Sequence, residues 1–273
     1  MRPFLKWAGG KTRVVERIKA VLPQGERLVE PFVGSGALFL NVEFPTYLLA
    51  DANCDLINCY RQLQRRGPSF IDACAEYFIP ANNQPDAYYV LRQRFNAATD
   101  PEERAALFVY LNRHGYNGLC RYNSAGGFNV PFGRYVRPYF PRDEMIYFWR
   151  KASRCEFVVA DFITTLRAVV SGDVVYCDPP YAPLSATANF TSYSGEGFDF
   201  VHQRQLAEEA QRAAQRGVPV VISNHDIPFT RKVYAAADQI IHFDVQRHIS
   251  SDAANRTKTT ELLAIYLPNG LSA

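Results

Sequence analysis

Arg27-Leu28-Val29-Glu30-Pro31-Phe32-Val33-Gly34-Ser35-Gly36 decides how this chain folds. A short apolar strand runs into a turn whose two glycines let the backbone pass close to a ligand. The turn is expected to open a helix. A second strand, Thr46-Tyr47-Leu48-Leu49-Ala50, follows and ends at Asp51. With a helix ahead of the first strand, residues 12–52 have the β-α-β rhythm of an open α/β sheet. The rhythm lapses over 53–150. Helical patterns around 53–79, 86–98 and 101–112 give way there to a loop-rich stretch of glycines and aromatics. It resumes over 155–267, with strands expected at 156–160, 173–177, 218–223, 239–245 and 261–267. A helix at 201–216 precedes the third of these, with Gly217 at its end. The chain therefore reads as one nucleotide-binding-type sheet, 1–52 and 151–273, interrupted by an inserted domain, 53–150.

A length of 273 residues suits one large domain or one domain with an insertion, and a 48% hydrophobic content suffices for its core. No apolar run approaches the roughly 20 residues that span a bilayer. The start, Met1-Arg2-Pro3-Phe4-Leu5-Lys6, lacks the apolar stretch of a signal peptide. Six cysteines lie scattered without metal-ligand spacing, as expected of reduced thiols in a cytoplasmic protein that needs no metal. A net charge of +3 is too small to name a partner, so any nucleic-acid reading must rest on where the charges sit.

The glycine turn is not a dinucleotide fingerprint, because position 39 is Phe where G-x-G-x-x-G needs glycine. A shorter turn suits a smaller group, such as the amino-acid part of S-adenosylmethionine (SAM). Asp51 stands about 20 residues after the first strand, where an acid accepts hydrogen bonds from ribose hydroxyls. A helix N-cap is the competing reading. Trp7-Ala8-Gly9-Gly10-Lys11-Thr12 is no phosphate-binding P-loop, since position 5 is Leu and no strand precedes it. It leaves a glycine-flanked Lys11 to meet a carboxylate and Trp7 to cover an adenine or a sulfonium. Asp161 and Phe162 end the strand at 156–160. They suit an adenine amino group and ring, or else a helix cap.

Asp178-Pro179-Pro180-Tyr181 follows the apolar run Val174-Val175-Tyr176-Cys177. An Asp carboxylate and a backbone carbonyl can accept both hydrogens of an exocyclic amine. Two prolines stiffen the turn, and a Tyr offers a face for a planar base. A proline-rich turn closing a strand is the plainer alternative.

From Leu111 to Arg142 there is no Asp or Glu. Arg113, Arg121, Arg134, Arg137 and Arg142 alternate with Tyr and Phe, and Asn112, Asn117, Asn123 and Asn129 add amides. Ser124-Ala125-Gly126-Gly127 reads as a hairpin turn between 119–123 and 128–132. A basic ribbon of this kind suits a DNA major groove, with Arg reading guanine, Asn reading adenine and the other Arg groups on phosphates. A solvated charged face is the bland alternative and fits an acid-free aromatic segment poorly. Ser223-Asn224-His225-Asp226 suggests a hydrolase, but the chain has no G-x-S-x-G, so His225 is expected to support the structure. Residues 184–198 read as a lid or DNA-contacting loop. Residues 250–258, with Arg256 and Lys258, read as a second polar loop.

These stretches together resemble the Dam family of DNA N6-adenine methyltransferases. The likeness lies in Phe4–Lys11, Glu30–Gly36, Tyr110–Asn123, Phe128–Tyr135 and Asp178–Thr191, in order along nearly the whole chain. The resemblance implies a Rossmann-like SAM-dependent methyltransferase sheet with an inserted, mostly helical target-recognition domain carrying a β-hairpin. It implies that Trp7, Lys11, Gly34, Gly36, Asp51, Asp161, Phe162 and Asp178 line the SAM site. It gives Asp178, Pro179, Pro180 and Tyr181 to a flipped adenine. In double-stranded GATC, Arg121, Leu119, Pro131 and Tyr135 would read base edges and Lys6 would touch the first guanine. Tyr116 and Asn117 would flank the space left by the flipped base, while Arg134 and Arg137 would join the DNA contacts. A monomer is the expected state. The rivals are a methyltransferase on cytosine N4 or a glutamine amide, and a non-catalytic DNA-binding relative.

Overall fold

A computed structural model describes residues 1–11, 14–183, 198–246 and 258–268. Seven strands form one sheet: β1 (Arg27–Glu30), β2 (Thr46–Asp51), β3 (Cys155–Val159), β4 (Asp173–Cys177), β5 (Val220–His225), β6 (Gln239–Gln246) and β7 (Lys258–Tyr266). Their order is β3-β2-β1-β4-β5-β7-β6. All pairs are parallel except those of β7, which runs antiparallel to β5 and β6. This is the expected Rossmann-like sheet, extended by a final hairpin that slots β7 inside β6. The loops expected at 184–198 and 250–258 lie, apart from Phe198 and Lys258, outside the described residues.

The strands cover both faces because their apolar residues alternate. Leu28, Val174, Tyr176, Val221, Leu263 and Ile265 face one core. Val29, Val175, Cys177, Val220, Ile222, Leu262 and Ala264 face the other. All of β4 and all of β5 are buried, as parallel strands between two helical layers must be. Arg27 grips Asp173 through two hydrogen bonds, at 2.7 and 2.9 Å, and so fixes where β1 and β4 begin to pair.

On the second face lie α7 (Phe162–Arg167) and α8 (Phe200–Gln215). On the first face α1 (Val15–Val21) buries Val15 and Ile18 in the core, and α2 (Cys54–Arg66) lies along β2 and β3. Asn53 caps its start, accepting from the N–H groups of Asp55 and Leu56. Arg61 and Gln64 reach from α2 to the carbonyls of Phe157, Ala152 and Cys155. Next come α3 (Pro68–Ala75), α4 (Pro85–Ala97), α5 (Pro101–His114) and α6 (Arg142–Ala152). The last ten residues of α5 are all buried, so this helix is the axis of the layer. Among the described residues no helix is long and apolar enough to cross a membrane.

Two expectations need correction. The glycine turn opens no α-helix. Only one 3-10 turn, Phe39–Asn41, stands between it and β2. The crossover, residues 31–45, runs as a succession of turns around that 3-10 turn. The ribbon over 119–132 is not a regular hairpin either. It has single bridges, Tyr122 with Phe128 and Gly115 with Phe132. Side chains take the backbone groups a ladder would use. The amide of Asn96 pairs with both the N–H and the carbonyl of Phe128, at 2.8 and 3.2 Å. Tyr88 and Arg92 both donate to the carbonyl of Val130, and Pro131 has no N–H to give.

Candidate active site

The ends of β1, β2 and β4 meet at the carboxyl edge of the sheet, where the strand order reverses. Open α/β sheets place their ligands at such an edge. Gly34 adopts a left-handed φ of +48°, and a Cβ there would lie 2.9 Å from Nε1 of Trp7. Only glycine lets the indole close over the turn. Asp51 accepts hydrogen bonds from the N–H of Gly34, at 3.0 Å, and of Asn53, at 2.9 Å. Asn53 is the cap of α2, so Asp51 is a ligand of the turn and not the helix cap. Burial raises its pKa, and these two N–H groups oppose the rise.

Glu30 has no role that its sequence motif reveals. It is buried at the end of β1, and its Oε1 has no hydrogen-bond partner among the described residues. Its pKa is pushed up to about 8, chiefly by burial and also by the charge of Asp178, with the N–H of Phe39 and the charge of Lys151 opposing the rise. An orphaned carboxyl oxygen is costly to bury, so a position like this suits a ligand that carries a donor.

Asp161 is the N-cap of α7, accepting from the N–H of Thr164 at 2.7 Å, which is the alternative reading of that residue. Phe162 stacks on Phe32 with centroids 5.5 Å apart, and Phe198 meets both rings edge-on. Phe32 and Phe198 thus join Phe162 in an aromatic wall that the sequence reading gave to Phe162 alone.

Lys11, Asp178 and Tyr181 form the centre of the site. Lys11 Nζ stands 2.9 Å from Oδ1 of Asp178 and 4.0 Å from the centroid of the Tyr181 ring. Ser223, on β5, donates a second hydrogen bond to Oδ1 of Asp178, at 3.0 Å. Among the described residues no donor reaches Oδ2. Burial raises the Asp178 pKa, with Lys11 and then Ser223 opposing it. The Tyr181 hydroxyl donates to Glu261 of β7, at 3.0 Å, and the ring sits edge-on against His225. Pro179 is buried in the turn, and the Pro180 carbonyl accepts from Gln203. Lys11 was expected to meet a carboxylate, and the carboxylate it meets is that of Asp178.

A model of the D12 class of N6 adenine-specific DNA methyltransferases matches residues 7–249. The chain belongs to that family. DNA adenine methylase of Salmonella typhi is 51% identical over 267 residues, which cover 98% of this chain and 96% of the relative. The DNA adenine methylase of Escherichia coli strain K12 is 50% identical over 271 residues, 99% of this chain and 97% of the relative. A solved structure, TrmN from Thermus thermophilus, is similar at 11% identity and a TM-score of 0.37, over 94% of this chain and 48% of its own. Membership makes the chain an adenine-specific DNA methyltransferase and chooses adenine among the rival amines.

The acid-free segment adjoins this site. Lys6, next to Trp7, lies 3.8 Å above the Tyr135 ring. Burial lowers its pKa. Asn53, beside Asp51, donates to Sγ of Cys120 at 3.3 Å. Tyr122 donates to Asp55 at 2.7 Å, and Arg104 grips the same carboxylate through two bonds. The buried Asp55 thereby anchors the ribbon carrying Leu119 and Arg121. Nε of Arg121 donates to Oδ1 of Asn129, at 2.8 Å, which aims the guanidinium. Tyr116, Asn117, Pro131, Arg134 and Arg137 are all exposed, and neither arginine has a side-chain partner among the described residues.

Three other members of the segment are not free to read DNA. Asn112 is buried and pairs with the N–H and carbonyl of Lys6, at 2.8 and 2.7 Å. Arg113 is buried and donates to the carbonyl of Tyr139. The Asn123 amide holds the ribbon's turn, accepting from Ala125 and Gly127.

Proposed function

We propose that this enzyme transfers the methyl group of SAM to adenine N6 within GATC, after the target base has swung out of the duplex. The observation that carries the reading is the Lys11–Asp178–Tyr181 cluster beside the Gly34–Asp51 turn, with the basic ribbon adjoining both. We assign methyl transfer to residues 1–52 and 151–273 and target recognition to 53–150.

The residues present fit SAM. The orphaned Glu30 oxygen suits an ammonium, Asp51 suits ribose hydroxyls, and the Phe32–Phe162–Phe198 wall suits an adenine. Trp7, held against Gly34, covers the turn between them. SAM would supply an activated methyl group on a sulfonium, whose S–CH3 bond breaks as the methyl is transferred, leaving S-adenosylhomocysteine as the product. Every other contribution is the protein's own, and it is chiefly orientation.

The N6 lone pair of adenine is delocalised into the ring and attacks poorly. Accepting hydrogen bonds from both N–H groups, at Oδ2 of Asp178 and the carbonyl of Pro179, holds the nitrogen in line. It also favours the geometry in which the lone pair is available. Tyr181 supports the base plane, with its hydroxyl fixed by Glu261. Forming the N–C bond obliges the amine to shed one proton. Asp178, whose pKa burial raises, is the nearest acceptor. A base inside a stacked duplex reaches none of these groups, so the target must be flipped, with Tyr116 and Asn117 beside the gap. Leu119, Arg121, Pro131 and Tyr135 then read base edges with Lys6, while Arg134 and Arg137 hold DNA phosphates. The enzyme works as a monomer on DNA in the cytoplasm.

Asp178→Ala tests the assignment. Transfer should vanish while duplex affinity stays within a few fold of wild type. Near-normal turnover by the variant would remove Asp178 from the mechanism.

A further inference from the structure

Pro179 and Pro180 lack N–H groups, so neither can tie the turn down as a donor. It is held from outside by three buried side chains. Gln203, in α8, donates from Nε2 to the carbonyl of Pro180, at 2.8 Å. Asn224, in β5, accepts at Oδ1 from the N–H of Ala182, at 3.1 Å, and from its neighbour His225. Nδ1 of His225 pairs with the carbonyl of Ala182 at 2.7 Å. The two amides are joined to each other. Oε1 of Gln203 accepts from Nδ2 of Asn224 and from the Tyr234 hydroxyl, both at 2.9 Å. Nδ2 of Asn224 also donates to the Tyr234 oxygen, at 3.0 Å.

Gln203 is 1% exposed, and Asn224 and Tyr234 are fully buried. Every amide atom in the cluster has a partner of the opposite kind. Turning either amide over would set oxygen against carbonyl and nitrogen against nitrogen. A satisfied buried network of this sort specifies one arrangement and resists all others. Its outward contacts fall on Pro180 and Ala182, the residues on either side of Tyr181.

We infer that Gln203 and Asn224, locked through Tyr234, are positioning residues for methyl transfer: they fix the Pro179 carbonyl and the Tyr181 ring where the amine must meet them. The inference rests on the reading of Asp178–Tyr181 as the amine-binding turn. Gln203 and Asn224 touch no substrate. They act on the turn, and the turn acts on the base. A displacement of about 1 Å at a reacting centre can cost on the order of 100-fold in rate.

The test is the single-turnover rate of methylation of a GATC duplex at saturating SAM. Dissociation constants for duplex and SAM, and thermal unfolding, are measured alongside. Gln203→Met keeps length and volume and removes the donor to Pro180. It should slow the single turnover by roughly 10- to 100-fold, with both dissociation constants within about threefold of wild type. Tyr234→Phe leaves the Pro180 contact in place and should slow the same step less. If Gln203→Met does not fold, Tyr234→Phe carries the test alone. A slowed turnover with unchanged affinities supports positioning, and a wild-type rate overturns it. A rate loss matched by equal losses in SAM and duplex affinity would make the network merely structural and would also overturn it. Asp178→Ala, measured in parallel, separates the two levels. If that variant is active, the reading of the turn has failed. If it is inactive while Gln203→Met runs at the wild-type rate, only the positioning role has failed.

Discussion

Replacing Glu30 by Gln should flatten the pH dependence of folding stability, by an amount that follows from where the residue sits. Its carboxyl is buried, one oxygen is orphaned, and its pKa rises from 4.5 to about 8. The folded chain therefore keeps a proton that the unfolded chain releases. A carboxyl whose pKa is raised on folding contributes stability that is fully present below its unfolded value. That contribution is lost as the pH climbs through the folded value. Linkage gives about 5 kcal/mol across the whole window, and roughly 3 kcal/mol between pH 5.5 and 8.5. Asp51 and Asp178 are also shifted upwards, but both proteins carry them, so their share largely cancels in the comparison. Urea unfolding at the two pH values is the assay. Wild type should lose about 3 kcal/mol more than Glu30→Gln on going from pH 5.5 to 8.5. Parallel losses, within about 0.5 kcal/mol, would refute the assignment of a neutral, buried Glu30 at the cofactor edge.

Arg121→Ala should cost about 1–3 kcal/mol at one guanine and relax specificity there, whereas equal weakening on all sequences would make Arg121 a phosphate contact. Gly34→Ala sets a Cβ against the Trp7 indole at a left-handed φ. It should lose about 1–2 kcal/mol of stability and weaken SAM binding by roughly tenfold, as titration calorimetry would read. Unchanged SAM affinity would remove Trp7 and the turn from the cofactor site. Tyr122→Phe leaves one oxygen of the buried Asp55 without its hydroxyl donor. It should cost about 1–3 kcal/mol in urea unfolding and lower the preference for GATC over duplexes altered at one base. An unaltered preference would mean that the ribbon needs no such anchor.

Strand ends were the most legible part of the sequence. Apolar runs stopping at Glu30, Asp51 and Asp178 mark where buried strands reach the carboxyl edge, and the chemistry collects there. Helices were nearly as plain in their patterns, but their caps were not: the cap of α2 is Asn53, two residues past the Asp51 that the sequence offered. What did not show was the use made of amide side chains. Asn96 sits in α4 and closes the edge of a ribbon some thirty residues away, which leaves that ribbon with bridges in place of strands. Asn112 looks like a base reader in an acid-free segment, yet the packing of α5 against the N-terminal residues turns it inward to Lys6. Gln203 and Asn224 meet only because α8 lies across β5. No local pattern encodes that meeting. Asp161 carried two readings of equal standing, since a helix cap and a ligand to an amino group demand the same residue at the same strand end.

The most direct test of the whole account uses SAM with a labelled methyl group and two duplexes that differ only in GATC versus GTAC, digested to nucleosides after reaction. Label in N6-methyladenine from the GATC duplex alone is the predicted result. Label from both duplexes would contradict the recognition assignments, and no label from either would contradict the proposed reaction itself.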